Sequence, residues 1–137
     1  MYILENEDLI IESKSSGAEL TRIYSKKYNK EVLWNGDKKY WGRQSPILFP
    51  IVGRLKENET LIEDKIYNIN QHGFARDMDF DLISIDKKSI TYKLTSDEKS
   101  REIYPYNFNL FISYTIIDEK VKITWKVENI DSQEIYF

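Results

Sequence analysis

The run Gln71-His72-Gly73-Phe74-Ala75-Arg76-Asp77 holds the chain's single histidine between a carboxamide, a glycine and an arginine. An imidazole can donate or accept a hydrogen bond, or move a proton near neutrality. A guanidinium offers a planar fork of donors to oxygen atoms, whereas lysine is the default solubilising charge. Arginine accounts for only five of the 20 basic residues. Three of these, Arg43, Arg54 and Arg76, fall in or beside the Gly/Pro-rich stretch from Tyr40 to Arg54 or in the His72 run. Together these residues suit recognition of an oxygen-rich ligand. The competing reading makes the arginines surface ion-pair partners of Glu57, Glu63 or Asp77 and His72 a satisfied structural residue.

Other patterns carry less. Asp77, Asp79 and Asp81 match the opening of a calcium loop, but its sixth position would be Leu82 and its twelfth Lys88. Such a loop needs Gly and Glu there, so an exposed strand face is expected instead. Zero cysteines and one histidine exclude thiolate and multi-histidine zinc sites and cysteine nucleophiles. No glycine-rich phosphate loop or Ser-His-Asp order is present. Trp41, in the irregular stretch, is the candidate for a site wall; Trp125, on the apolar face of a strand pattern, is expected in the core.

The elements that must position these groups read as strands. Nineteen Ile, ten Tyr and six Phe stand against two Ala, an inventory that fits pleated, half-buried surfaces. From Lys120 to Glu128, Val121, Ile123, Trp125 and Val127 alternate with Lys122, Thr124, Lys126 and Glu128, which is period-2 patterning. Further strands are expected at Met78–Ser84, Ser89–Thr95 and Phe108–Ile117, the last apolar on both faces. Short polar breaks at Asn6–Asp8, Glu63–Lys65, Asp86–Lys88 and Asp118–Lys120 suit hairpins. Ser96 to Ile103 reads as the one short helix, with Ser96 as cap. The fold class is therefore all-β: antiparallel sheets forming a β-sandwich, in one domain over residues 1–137. Tyr40 to Arg54 fits neither period, and such segments commonly carry function.

Composition bounds the role. The 137 residues are 41% hydrophobic and 31% charged, with net charge −3. That balance argues against nucleic acid as the partner. The longest apolar run, Pro46–Val52, is too short for a membrane span, and no signal peptide follows Met1. A cytoplasmic protein without a metal or cofactor is expected.

The succession Leu33-Trp34-Asn35-Gly36-Asp37, Tyr40-Trp41-Gly42-Arg43, Ser45-Pro46-Ile47-Leu48-Phe49-Pro50-Ile51-Val52-Gly53-Arg54 and Gln71-His72-Gly73-Phe74-Ala75-Arg76 resembles the aldose 1-epimerase (galactose mutarotase-like) family. Its bacterial branch and the hexose-6-phosphate mutarotases are the nearest pattern. Tyr104-Pro105-Tyr106-Asn107-Phe108 and Val127-Glu128-Asn129 extend the likeness along most of the chain. The resemblance implies a large antiparallel β-sandwich with a sugar cleft and no required metal. It also implies interconversion of α and β anomers by acid/base ring opening, with a His as acid and a Glu as base. Carried over, Arg54, His72 and Arg76 are substrate-binding residues for a hexose or hexose phosphate, and no catalytic residue is assigned.

The family's acid and base follow the region matched here. The apolar, strand-like run Gln133–Phe137 reads as a chain cut in mid-sheet, so residues 1–137 are expected to be the N-terminal half of one such domain, inactive alone. Two alternatives stand beside this reading. One is a non-catalytic carbohydrate-binding module. The other is a β domain that self-associates into a homo-oligomer through an open sheet edge.

Overall fold

The computed structural model describes residues 1–137 throughout. Ten strands and one short helix follow in the order β1 (Tyr2–Glu5), β2 (Leu9–Ser13), β3 (Leu20–Ser25), β4 (Lys30–Glu31), β5 (Glu59–Ile62), β6 (Lys65–Asn68), β7 (Asp81–Ile85), β8 (Ser89–Thr95), α1 (Glu98–Ile103), β9 (Phe108–Ile117) and β10 (Lys120–Asn129). They form a four-stranded sheet in the order β1-β2-β3-β4, a second in the order β10-β9-β8-β7, and the β5-β6 hairpin. Every strand pair is antiparallel.

Alternation explains the core. On β8, Ile90, Tyr92 and Leu94 point inward; on β9, Phe108, Leu110, Ile112, Tyr114 and Ile116 do. Leu4, Leu9, Ile11 and Leu20 face them from the first sheet, all within one buried cluster. Two buried phenols tie the layers. Tyr92 and Ser13 share a hydroxyl–hydroxyl hydrogen bond of 2.7 Å, and Tyr114 Oη donates to the Ala18 carbonyl at 2.6 Å. A buried hydroxyl without a partner would be costly, so these bonds also fix the register of one layer on the other.

Several local expectations are corrected. Trp125 is 45% exposed, as is Ile123 at 46%. β10 is the outer strand of its sheet, and only Val121 and Val127, near its two ends, pack against the core. β9 is not buried on both faces. Phe111 is half-buried beneath the Lys93 and Lys126 ammonium groups, and Ile117 is exposed. The strand expected at Met78–Ser84 begins only at Asp81, because Ala75–Asp77 forms a 3-10 turn. Asp97, not Ser96, caps α1. Its carboxylate accepts from Ser100 N while Ser100 Oγ accepts from Asp97 N, a reciprocal box. Ser96 Oγ instead accepts from Phe108 N. Gln133–Phe137 forms no strand; Tyr104 Oη donates to Tyr136 O, and the Phe137 ring lies 5.7 Å from that of Phe49.

Tyr40–Arg54 contains no strand or helix, as its pattern implies. It inserts Ile47 and Phe49 into the core. Phe49 sits within aromatic contact of Phe74, Tyr104 and Phe108. No helix is long and apolar enough to cross a membrane.

Candidate functional site

The site grows from the crossing of two irregular segments. Gly73 has φ +70°, and a Cβ there would run into the Phe49 carbonyl, so only glycine lets the two backbones touch. Phe49 O accepts from Phe74 N at 3.0 Å and from Ala75 N at 3.2 Å. One residue earlier, His72 also takes a left-handed conformation, φ +68°, which histidine tolerates better than most side chains. His72 N donates to Gly53 O at 2.8 Å, and Gly53 N donates back to His72 Nδ1 at 2.9 Å. The Phe-Pro-x-x-Gly-Arg and His-Gly-Phe-Ala-Arg motifs are thus stitched together by their own backbones.

A cavity of about 460 Å³ opens beside this seam, lined by Trp41, Gln44, Ser45, Gln71, His72 and Arg76 among others. Arg76 donates through Nη2 to Gln71 O at 2.9 Å, and its buried Nε has no hydrogen-bond partner, with Asp77 Oδ2 3.7 Å away. Asp77 pairs more closely with Arg43, at 2.5 Å, and Arg43 Nη1 donates to Arg76 O at 3.3 Å. Arg43 therefore engages the carboxylate beside Arg76, and no carboxylate lines the cavity itself. Trp41 supplies an apolar wall. Its backbone is held by Trp34, whose Nε1 donates to Trp41 O at 2.8 Å.

His72 and Arg76 share this cavity, while Arg54 does not line it. The Arg54 side chain is exposed and donates through Nε to Asn58 Oδ1 at 3.0 Å. The ion-pair reading holds for Arg43 and Arg76 with Asp77, and not for Glu57 or Glu63. Three larger cavities exist: two, of about 630 and 690 Å³, are mainly apolar and hold none of these residues, and one of about 530 Å³ shares only Gln44. No group of three His, Asp or Glu side chains is placed to hold a metal ion.

One supporting residue escaped the sequence reading. Glu19 is 3% exposed and accepts from Gln44 N at 2.7 Å and Ser45 N at 3.2 Å, while Lys14 Nζ lies 2.7 Å away. Burial alone would raise its carboxyl; the Lys14 ammonium and the two amides outweigh it and hold Glu19 below the ordinary carboxylate range. Glu19 thereby anchors the stretch that carries Trp41 and Gln44. Gln44 in turn donates through its carboxamide to Thr21 O.

Comparison with known proteins agrees with this architecture. The family model described as Aldose 1-epimerase matches residues 1–137. Protein LacX of Lactococcus lactis subsp. lactis, in chromosomal and plasmid forms, is 32% identical over 136 residues, covering 96% of this chain and 45% of the relative. A galactose mutarotase related enzyme from Lactobacillus acidophilus superposes with a TM-score of 0.95 at 34% identity, over 98% of this chain and 45% of that one. A galactose mutarotase-like protein from Lactobacillus casei gives 0.94 at 32% identity, over 98% and 46%. The chain spans about half the length of the curated relatives it matches. The family-model match over the whole of residues 1–137 makes this chain a member of the aldose 1-epimerase family.

Proposed function

We propose that residues 1–137 form the sugar-holding part of an aldose 1-epimerase-like protein that binds a hexose or hexose phosphate, with Arg54, His72 and Arg76 as its substrate-binding residues. The observation that carries the reading is the cavity in which His72 and Arg76 stand beside the Trp41 ring with no carboxylate among the lining residues. Guanidinium and imidazole donors grip hydroxyl or phosphate oxygens, and an indole face covers the sugar's C–H surface. Arg54 follows Gly53, the residue bonded to His72, and its route to a ligand is a swing away from Asn58.

Anomer interconversion needs one group to protonate the ring oxygen and another to take the proton from the C1 hydroxyl. The chain's one histidine is committed to positioning in this reading, so acid and base belong to family structure outside the matched half. In the complete protein the anomers then interconvert by ring opening, rotation about C1–C2 and closure. No cofactor is required, and a cytoplasmic setting fits a cysteine-free chain.

Calorimetric titration of the 137-residue chain with galactose, glucose and glucose 6-phosphate tests this. Saturable binding to at least one, weakened about tenfold or more in Arg76→Ala, is expected, from the loss of a charged hydrogen bond. A flat titration at millimolar sugar would count decisively against it. The exposed apolar strip at Ile123 and Trp125 favours a second reading, pairing of two copies through β10.

A further inference from the structure

The geometry assigns His72 a single tautomer, locked by the Gly53 amide, and makes Gln71 the group that a sugar oxygen must displace. The proposal rests, for its ligand, on the sugar-binding reading above.

The lock follows from hydrogen-bond bookkeeping. Gly53 N–H donates to His72 Nδ1 at 2.9 Å, which uses the Nδ1 lone pair. A neutral imidazole has one acceptor and one donor nitrogen, so the ring proton sits on Nε2. The reciprocal bond from His72 N to Gly53 O at 2.8 Å holds the two residues in register. A proton on Nδ1 would face the Gly53 N–H, donor against donor.

Nε2 is the ring nitrogen free of the backbone, and the Gln71 amide nitrogen is placed 3.2 Å from it. A carboxamide offers oxygen on one side and NH2 on the other, and only the oxygen can accept from Nε2–H. With Nε2 protonated, an amide nitrogen there would set donor against donor, so the Gln71 carboxamide must be turned over to present its oxygen to His72 when the cavity is empty. Its side chain is exposed, and its carbonyl is separately engaged by Arg76 Nη2. The carboxamide is free to swing out while the backbone stays in place. A sugar hydroxyl or ring oxygen taking its position receives the same Nε2–H. His72 then acts as a fixed donor and does not accept a proton from the sugar. Gly53 is a positioning residue acting through its amide, and Gln71 a competitor that sets the affinity.

Because His72 is the only histidine, 15N-histidine labelling of the whole chain reports on one ring. In a buffer basic enough for neutral imidazole, two-bond 1H–15N correlation is expected to show an unprotonated Nδ1 and a protonated Nε2, in wild type and in Gln71→Ala alike. The reverse pattern, or averaged shifts, would overturn the lock. Titration with galactose or glucose 6-phosphate is expected to move the Nε2 signal. Gln71→Ala is expected to bind about threefold tighter, the size of one neutral hydrogen bond no longer displaced. Equal or weaker binding by Gln71→Ala, with wild type still binding, would overturn the displacement alone. A wild type that binds neither sugar would overturn the displacement together with the sugar-binding reading, while the apo spectrum still decides the tautomer.

Discussion

Phe49 and Gly73 meet backbone to backbone in an isolated parallel bridge, with the Phe49 carbonyl shared by the amides of Phe74 and Ala75. This is the joint on which the candidate site hangs. It has no equivalent elsewhere in the sandwich, where every ladder is antiparallel.

Gly73→Ala is expected to destabilise the chain by at least about 2 kcal/mol, because a left-handed φ penalises any Cβ and this one would run into the Phe49 carbonyl. Urea unfolding would read the loss as a lower midpoint. A change within 0.5 kcal/mol, the ordinary surface range, would show that the two segments do not need this approach.

Phe49→Ala removes the ring that Phe74, Tyr104 and Phe108 surround. About 3–5 kcal/mol of stability should go with it, the usual cost of truncating a buried aromatic. Thermal unfolding followed by far-UV circular dichroism measures it.

Glu19 should leave a signature in acid. Its carboxyl is held below its ordinary value of 4.5, so the unfolded chain takes up its proton first as pH falls. The stability that Glu19 contributes is complete above 4.5 and drains away as pH drops through the depressed folded value. Glu19→Gln keeps the shape and lacks the charge, so the stability gap between wild type and variant should close progressively below pH 4.5. A gap constant from pH 7 into that range would mean the Lys14 contact contributes nothing.

Trp125→Lys should leave stability within about 0.5 kcal/mol of wild type, as for a surface substitution. If β10 pairs two copies of the chain, the same change should move the sedimentation profile toward monomer. A wild type that stays monomeric at high concentration would dismiss that pairing.

Trp41→Ala should weaken sugar binding by about two- to tenfold, matching 0.5–1.5 kcal/mol for an aromatic face, and Trp41→Phe should recover part of it. Identical titrations for all three proteins would remove the indole from the site.

How much of this was legible depends on the range of the interactions involved. The β10 alternation is local, and its strand was readable from Lys120 to Glu128. Whether Trp125 met a facing layer was not, because that depends on where β1 and β2 fall relative to β8 and β9. His72, Gly73 and Arg76 stood out through residue type and neighbours. The bond between His72 and Gly53 needed a contact 19 residues away. Glu19 carried no signal at all: its burial is tolerable only through Lys14, Gln44 and Ser45, and a carboxylate in isolation reads as solvent-exposed. Asp97 and Ser96 are both good caps, and only the Ser100 hydroxyl decides between them.

The hydrogen bond from Tyr114 to Ala18 spans 96 positions of sequence. During synthesis, strands β1 to β3 emerge long before the phenol that completes their inner surface. Until then the Ala18 carbonyl and the Ser13 hydroxyl lack their inter-sheet partners, and Leu4, Leu9 and Ile11 have no opposite layer. The early sheet is thus a provisional structure, and closure of the sandwich is a late, non-local event of the kind that slows folding and leaves nascent chains exposed to wrong partners.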